Sequence, residues 1–333
     1  SMQKIVITIC SINYLAQAKT LGDSLMKHNP DYTFLIGLVD RIDASQVDKN
    51  LLPPYTLVEL HTIGVEDLDE MCTRYDITEL NTAVKPYFLD YVYQNYPEAQ
   101  FVHYFDPDII IYQPLTEVEN GLKDHSLFLT PHTLQAYPDD ACSPNERGLL
   151  NTGLYNLGFI GTKRSETTHQ FLQWWKDRLF DQCYIDLANG MFVDQLWVNF
   201  APIFYEDVFV SRHLGLNMAY WNLHERQITN DNEPYQVNNQ FPLIFFHFSG
   251  YSPEKPTEIS KYQDRYSFQE KGDVASLFDY YAQALIANGH KELKKYSCYY
   301  IKPVVKAPVK RYLRVRKYAS MPFRWIIQLI ENA

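Results

Sequence analysis

Two carboxylates flanking a proline, Asp106-Pro107-Asp108, close an apolar and aromatic run that begins at Phe101, and Ile109-Ile110-Ile111 follows at once. The first run is short and rich in bulky β-formers, so it reads as a buried strand. Pro107 has no N–H to give a ladder, and regular pairing breaks there. The pattern therefore holds two carboxylates at a strand end, where open α/β sheets bind ligands. Such groups are hard oxygen ligands for Mn²⁺ or Mg²⁺, ions that usually carry phosphates. Taken alone, the tripeptide is equally a polar turn between strands. His247 ends a second apolar run and is followed by Ser249-Gly250 and Lys255-Pro256. An imidazole beside two carboxylates suits Mn²⁺ better than Mg²⁺. Gly250 would let backbone approach a ligand closely, and Lys255 would place a point charge on a phosphate. Without the acidic motif, His247 is an ordinary core histidine.

The elements that position these groups follow from periodicity. Residues 4–10 form a near-continuous apolar run, as a central parallel strand requires. Residues 11–14 are a loop. Leu15, Ala18, Leu21 and Leu25 then give helical spacing up to Asn29-Pro30. Residues 34–40 form the next strand and complete a right-handed β-α-β unit. A third strand is expected near residues 57–60. Residues 77–96 read as a helix that Pro86 kinks or divides. After the acidic motif come a strand at 126–130 and an irregular stretch at 131–148, long enough for a lid or substrate loop. Residues 151–160 read as a strand spaced by glycines. Helices are expected over 167–180, 192–201 and 274–287, and a strong strand over 241–248. His224-Glu225-Arg226 is a polar cluster to which the sequence assigns no role.

Composition narrows the class. Hydrophobic residues make up 46% of 333, which supports a sizeable core. Net charge is −10, which argues against a nucleic-acid binder. The last 32 residues, 302–333, hold eight basic residues and one acid, a net of +7, so the rest carries −17. Their basic residues interleave with Val, Leu, Ile, Phe and Trp325, which resembles a membrane-surface helix drawn to anionic lipid. The competing reading is a C-terminal helix docked on the acidic body. The expected organisation is a main α/β domain over 1–260, a helical segment over 261–300 and a basic tail over 301–333. Five scattered cysteines form no CxxC pair, as in a reducing compartment. No signal-peptide pattern and no apolar run near ~20 residues is present. The expected location is cytoplasmic, with the tail as the peripheral membrane contact.

There is no G-x-G-x-x-G after the first strand and no G-x-x-x-x-G-K-[ST]. A nucleotide here would not rest on a glycine-rich loop, and its phosphate charge would need a metal instead. The motifs together resemble the nucleotide-sugar glycosyltransferases of the GT-A fold, in particular the glycogenin-like and lipopolysaccharide galactosyltransferase-like group. The likeness is carried by Thr8-Ile-Cys-Ser-Ile-Asn-Tyr14, Lys85, Tyr104-Phe-Asp-Pro-Asp-Ile109, Asn151-Thr-Gly153, Asp194-Gln195 and His247-Phe-Ser-Gly250. It spans roughly residues 4–256. In that group the Lys-Pro follows the glycine more closely than Lys255 follows Gly250 here.

The resemblance implies an α/β fold: a Rossmann-like, mixed and mainly parallel sheet flanked by helices, with a helical basic extension. It implies that Asp106, Asp108 and His247 hold Mn²⁺ or Mg²⁺ on the donor diphosphate. Thr8, Ser11 and Tyr14 would receive the nucleoside of a UDP-sugar, with Tyr14 stacking on the base. Lys85 would approach the phosphates or the donor sugar, and Gly250 and Lys255 would lie near the phosphates. Asn151, Gly153, Asp194 and Gln195 would surround the transferred sugar. Implied too is retention of configuration, with the leaving phosphate oxygen taking the acceptor proton and Asp194 stabilising positive charge on the sugar. Were the product inverted, Asp194 would be the general base. The acceptor would be a glycan, a lipid-linked saccharide or a protein. Two other readings share the fold: a sugar-nucleotide nucleotidyltransferase, which usually opens on a glycine-rich basic loop missing here, and a catalytically silent carbohydrate-binding protein.

Overall fold

The structure is a computed structural model that describes residues 2–230 and 232–301. The expected basic tail lies outside these residues. The apolar runs assemble one seven-stranded sheet. Its strands are β1 (Gln3–Cys10), β2 (Tyr32–Leu38), β3 (Thr56–Glu59), β4 (Ala99–Phe105), β6 (Leu127–Leu129), β7 (Phe159–Lys163) and an edge strand, Val208–Val210. The spatial order is Val208–Val210, β6, β7, β4, β1, β2, β3. β1 lies parallel to β2 and β4, and β2 parallel to β3, while β7 runs against β4 and β6. This is the mixed, mainly parallel α/β sheet expected from the sequence. Ile5, Val6 and Ile7 are fully buried, which is why β1 reads as an unbroken apolar run. The chain leaves β1 on one side towards β2 and β3 and returns on the other side at β4. The crevice outside the carboxyl ends of β1 and β4 is thus a topological switch point, where such sheets bind ligands.

Helix α1 (Leu15–His28) links β1 to β2. The expected helix over 77–96 is divided. Ile77–Ala83 and Lys85–Asn95 meet at Val84, and Pro86 sits in the first turn of the second helix, where its missing N–H is no loss. Three expectations need correction. Residues 151–160 are not one strand. The Asn145 side chain accepts from Gly148 N and starts a helix, Glu146–Thr152, which ends at Gly153 with φ +124°; β7 begins only at Phe159. Residues 241–248 are not one strand either. Phe241–Pro242 pairs with Gln236–Val237, whereas Phe245–His247 pairs antiparallel with β5 (Ile109–Ile111). Pro242 cannot donate to a continuing ladder. The helix expected over 192–201 is two short turns, Gln195–Val198 and Ala201–Phe204, with a proline opening the second.

A second apolar cluster lies under the helix Ala275–Ala287, where Tyr281 stacks on Phe248 at 4.1 Å. Among the described residues no helix is long and apolar enough to cross a membrane.

Candidate active site

β4 delivers Asp106 to the switch point, and Asp108 follows two residues on, just before β5. The antiparallel register sets His247 opposite Ile109, hence beside Asp108. Phe248 N donates to Asp108 O at 2.8 Å, which locks that register. His247 Nε2 lies 2.9 Å from Asp108 Oδ1 and 3.6 Å from Asp106 Oδ2. One ligand atom from each of Asp106, Asp108 and His247 lies within 4.8 Å of the others. Two groups close in sequence and one remote imidazole therefore converge.

The donor set fits a divalent cation. The histidine is buried, while both carboxylates keep part of their surface open. Burial would lower the imidazole pKa, but Asp108 and then Asp106 outweigh it and raise it. The cluster thus favours positive charge at this point, which a cation would supply by displacing the proton. Trp221 meets the His247 ring edge-on at 5.1 Å. Gly158 closes the other side. A Cβ there would lie 2.3 Å from His247 Cε1 and 2.8 Å from Asp106 Oδ2. Gly158 O also accepts from Asp106 N at 2.6 Å, so the backbone has no freedom to retreat. Replacing Gly158 with Ala should weaken Mn²⁺ binding about 10–100-fold, the range for disturbing groups that orient metal ligands. Titration calorimetry checks this, and parent-like affinity would count against the cluster as a metal site.

Lys85 is not a solvated helix charge. It is 2% exposed. Its ammonium donates to Leu157 O at 2.9 Å and lies 2.8 Å from Asp194 Oδ2 and 3.5 Å from Asp106 Oδ1. It also sits 4.5 Å over the Tyr104 ring, and Tyr104 Oη donates to Asp106 Oδ1. Burial acts to lower the lysine pKa, yet Asp106 and Asp194 carry it upward. Asp194 is equally buried; burial pushes its carboxyl up, and Lys85 opposes that. Gln195 spends its amide on backbone, donating from Nε2 to Thr152 O at 2.7 Å and accepting from Leu157 N at 3.4 Å. It packs on Gly153, where a Cβ would meet Gln195 Cγ at 3.1 Å.

The loop after β1 is held from beneath. Ser11 Oγ donates to Val39 O at 2.9 Å and accepts from Asn81 Nδ2, while Asp40 accepts from Ile12 N. Thr8 is buried in β1, and its hydroxyl has no partner among the described residues. Tyr14 is 45% exposed. Burial, then the charge of Asp108, pushes its pKa up to about 12. Gly250 adopts φ +73° against Ser260 and Tyr262, leaving no room for a side chain. Lys255 is exposed, 3.7 Å from Glu258. Asn151 is exposed on the last turn of its helix. Among the described residues, neither Lys255 nor Asn151 bonds to the cluster.

The Asn-x-Gly that lies against the cluster is the second of two, Asn156-Leu157-Gly158. Asn156 Oδ1 accepts from Gly158 N and from Asn217 Nδ2, both at 3.1 Å, and its Nδ2 lies 3.4 Å from His132 Nε2. Asn222 ties Asn217 O to His132 O. This buried network shapes the turn that holds Lys85 and Asp106. Its one sequence signal was the repeat of the tripeptide five residues on.

The unassigned His224-Glu225-Arg226 cluster anchors the irregular stretch. Glu225 accepts from Leu134 N, Gln135 N and Thr133 Oγ1, and pairs with Arg226 Nε at 3.1 Å. Arg226 donates to Leu214 O and Leu216 O. Arg265 holds the other end through Pro144 O and Asp140. Glu225→Ala should cost about 3–5 kcal/mol, because it leaves a buried guanidinium unpaired. A urea titration measures it; a loss below one kcal/mol would show that the loop is not tied there.

No family model matches the chain. The solved structures similar to it include glycosyltransferases. A galactosyltransferase, LgtC, in complex with donor and acceptor sugar analogues, is 14% identical with a TM-score of 0.48, over 84% of this chain and 95% of that one. The glycosyltransferase GlyE of Streptococcus pneumoniae TIGR4 is 13% identical with a TM-score of 0.45, over 90% of this chain and 66% of that one. In sequence, the uncharacterized protein YfnF of Bacillus subtilis (strain 168) is 27% identical over 256 residues, 76% of this chain and 84% of that protein.

Proposed function

We propose that this chain is a metal-dependent glycosyltransferase of GT-A type, moving a sugar from a UDP-sugar to a hydroxyl of a glycan, a lipid-linked saccharide or a protein. One observation carries the reading: Asp106, Asp108 and His247 converge at the switch point. The buried Lys85–Asp194 pair beside them supports it. These three side chains would hold Mn²⁺ or Mg²⁺, whose contribution when bound is Lewis-acid stabilisation of the departing diphosphate. The chain's own residues do the rest. Tyr104 and Lys85 fix the rotamer of Asp106 from below. The Lys85 ammonium adds fixed positive charge next to the diphosphate, in a site where little water screens it. Tyr14 offers a ring beside the acidic pair for the base. Asp194 carries negative charge toward the sugar. Its ion pair with Lys85 at 2.8 Å holds the carboxylate in place, and the reaction retains configuration, with the acceptor proton leaving on the donor phosphate oxygen. Much of the rate then comes from holding the acceptor hydroxyl close to the anomeric carbon.

The test is turnover of UDP-glucose, UDP-galactose and UDP-N-acetylglucosamine with Mn²⁺ and with chelator. The anomeric coupling of the first product is then read by NMR. Metal-dependent turnover with retained configuration is expected. Turnover indifferent to chelator removes the metal mechanism. Saccharide binding without any turnover favours the silent carbohydrate-binding reading instead.

A further inference from the structure

A cavity of about 270 Å³ opens between α1, the far end of β5 and the helix Ala275–Ala287. Its floor is Tyr112, four residues of extended chain from Asp108, about 13 Å along the strand direction. Tyr112 is 3% exposed, and its hydroxyl is buried without a hydrogen-bond partner among the described residues. Tyr112 lines the cavity together with Glu233 and Tyr280. A buried hydroxyl left unsatisfied carries a desolvation cost that a bound polar group would remove.

The walls carry Asp23, Glu233, Lys27 and Asn288. Lys27 bridges Glu233 at 3.0 Å, and Asp23 accepts from Tyr55 and Lys19. Each carboxylate oxygen still has a spare lone pair. Burial and the charge of Lys27 hold His28, also on the wall, toward its neutral form. Each carboxylate is matched by an ammonium, Asp23 by Lys19 and Glu233 by Lys27, so the cavity carries no net charge to attract phosphate or nucleotide. Its polar wall disfavours a purely apolar guest. Tyr280, 58% exposed, stands at the cavity and presents an aromatic face. The space equals that of about nine liquid waters, enough for a single ring. A hydroxyl-rich ring with one apolar face meets all of these terms. Its hydroxyls would find partners in the carboxylates, the amide and the Tyr112 phenol, and its C–H face would lie on Tyr280.

We propose that this cavity is a second saccharide site, separate from the Asp106–Asp108–His247 cluster, which holds one neutral pyranose ring of a glycan without reacting with it. The proposal does not rest on the transferase reading. The test is saturation-transfer NMR on the full chain with the methyl α-glycosides of glucose, galactose, mannose and N-acetylglucosamine. At least one should bind, and Asp108→Ala should leave that binding unchanged. Tyr280→Ala should weaken it about tenfold, the loss of one aromatic platform. Tyr112→Phe should weaken it several-fold while keeping the thermal midpoint, since the hydroxyl it removes supports nothing in the fold. Binding abolished by Asp108→Ala and untouched by Tyr280→Ala would put the sugar in the reaction centre and overturn the proposal. Absence of binding by all four glycosides would overturn it too. Donor turnover is read separately: a chain that binds sugar here but turns over no UDP-sugar keeps this site and loses the transferase reading.

Discussion

Asp108→Ala should lower metal-dependent turnover about 10³-fold, the scale of losing a principal stabiliser of developing charge. Asp108 is the carboxylate closest to His247, at 2.9 Å. It also holds that strand in place, because its carbonyl accepts from Phe248 N. The substitution removes the side chain and spares that backbone bond, so the fold should survive. The variant then separates chemistry from folding. Its thermal midpoint should stay near that of the parent while Mn²⁺ affinity and turnover fall together. Unchanged turnover would remove the cation from the mechanism.

Lys85→Met should cost about 3–5 kcal/mol of stability, because it strands Asp194 in the interior without its counter-ion. Met is nearly the same length, so packing alone does not explain a loss of that size. The cost should depend on pH, and the sign follows from the carboxyl. Burial already raises the Asp194 pKa above its ordinary 3.8, and Lys85 restrains it. Without Lys85 the folded-state value climbs further. Between the unfolded and folded values, the native state binds a proton that the unfolded chain has lost, so stability falls as pH rises. The penalty should therefore be smaller near pH 4 than near pH 8. Denaturant midpoints for parent and variant at both pH values measure it. A penalty independent of pH would mean that Asp194 is not the group left uncompensated. Turnover should fall as well, since Lys85 also fixes Asp106.

Much of the site is legible because its residues sit at strand ends. Asp106 and Asp108 follow a strand whose apolar run is unmistakable, and His247 closes another, so hydropathy alone marks where each must emerge. The sheet is legible for the same reason, since β1 and β4 are buried on both faces. The rest depends on facts that spacing does not carry. Lys85 is singled out only by the resemblance, because helical spacing does not carry the break at Val84 or the burial of its side chain. The two Asn-x-Gly tripeptides are indistinguishable in sequence. The first closes the helix that the Asn145 cap starts, which leaves Asn151 exposed on its last turn, and the second lies beyond the helix, against the cluster. Residues 241–248 look like one strand because all but His247 are apolar, yet Pro242 divides them between two pairings. Glu225 and Arg226 look like surface charges because their partners are backbone groups of a loop with no period of its own.

The ladder that brings His247 to the carboxylates is only three residues long. Side chains on a strand alternate between faces, so a slip of one residue would point Phe246 or Phe248 at the acidic pair and turn the imidazole away. The phenyl rings would pack and the sheet would persist, but the cation would lose its nitrogen. On the proposed reading, pairing arithmetic on a minor strand would decide which metal this site could hold, and a single inserted residue there would change the donor set while the sheet persisted.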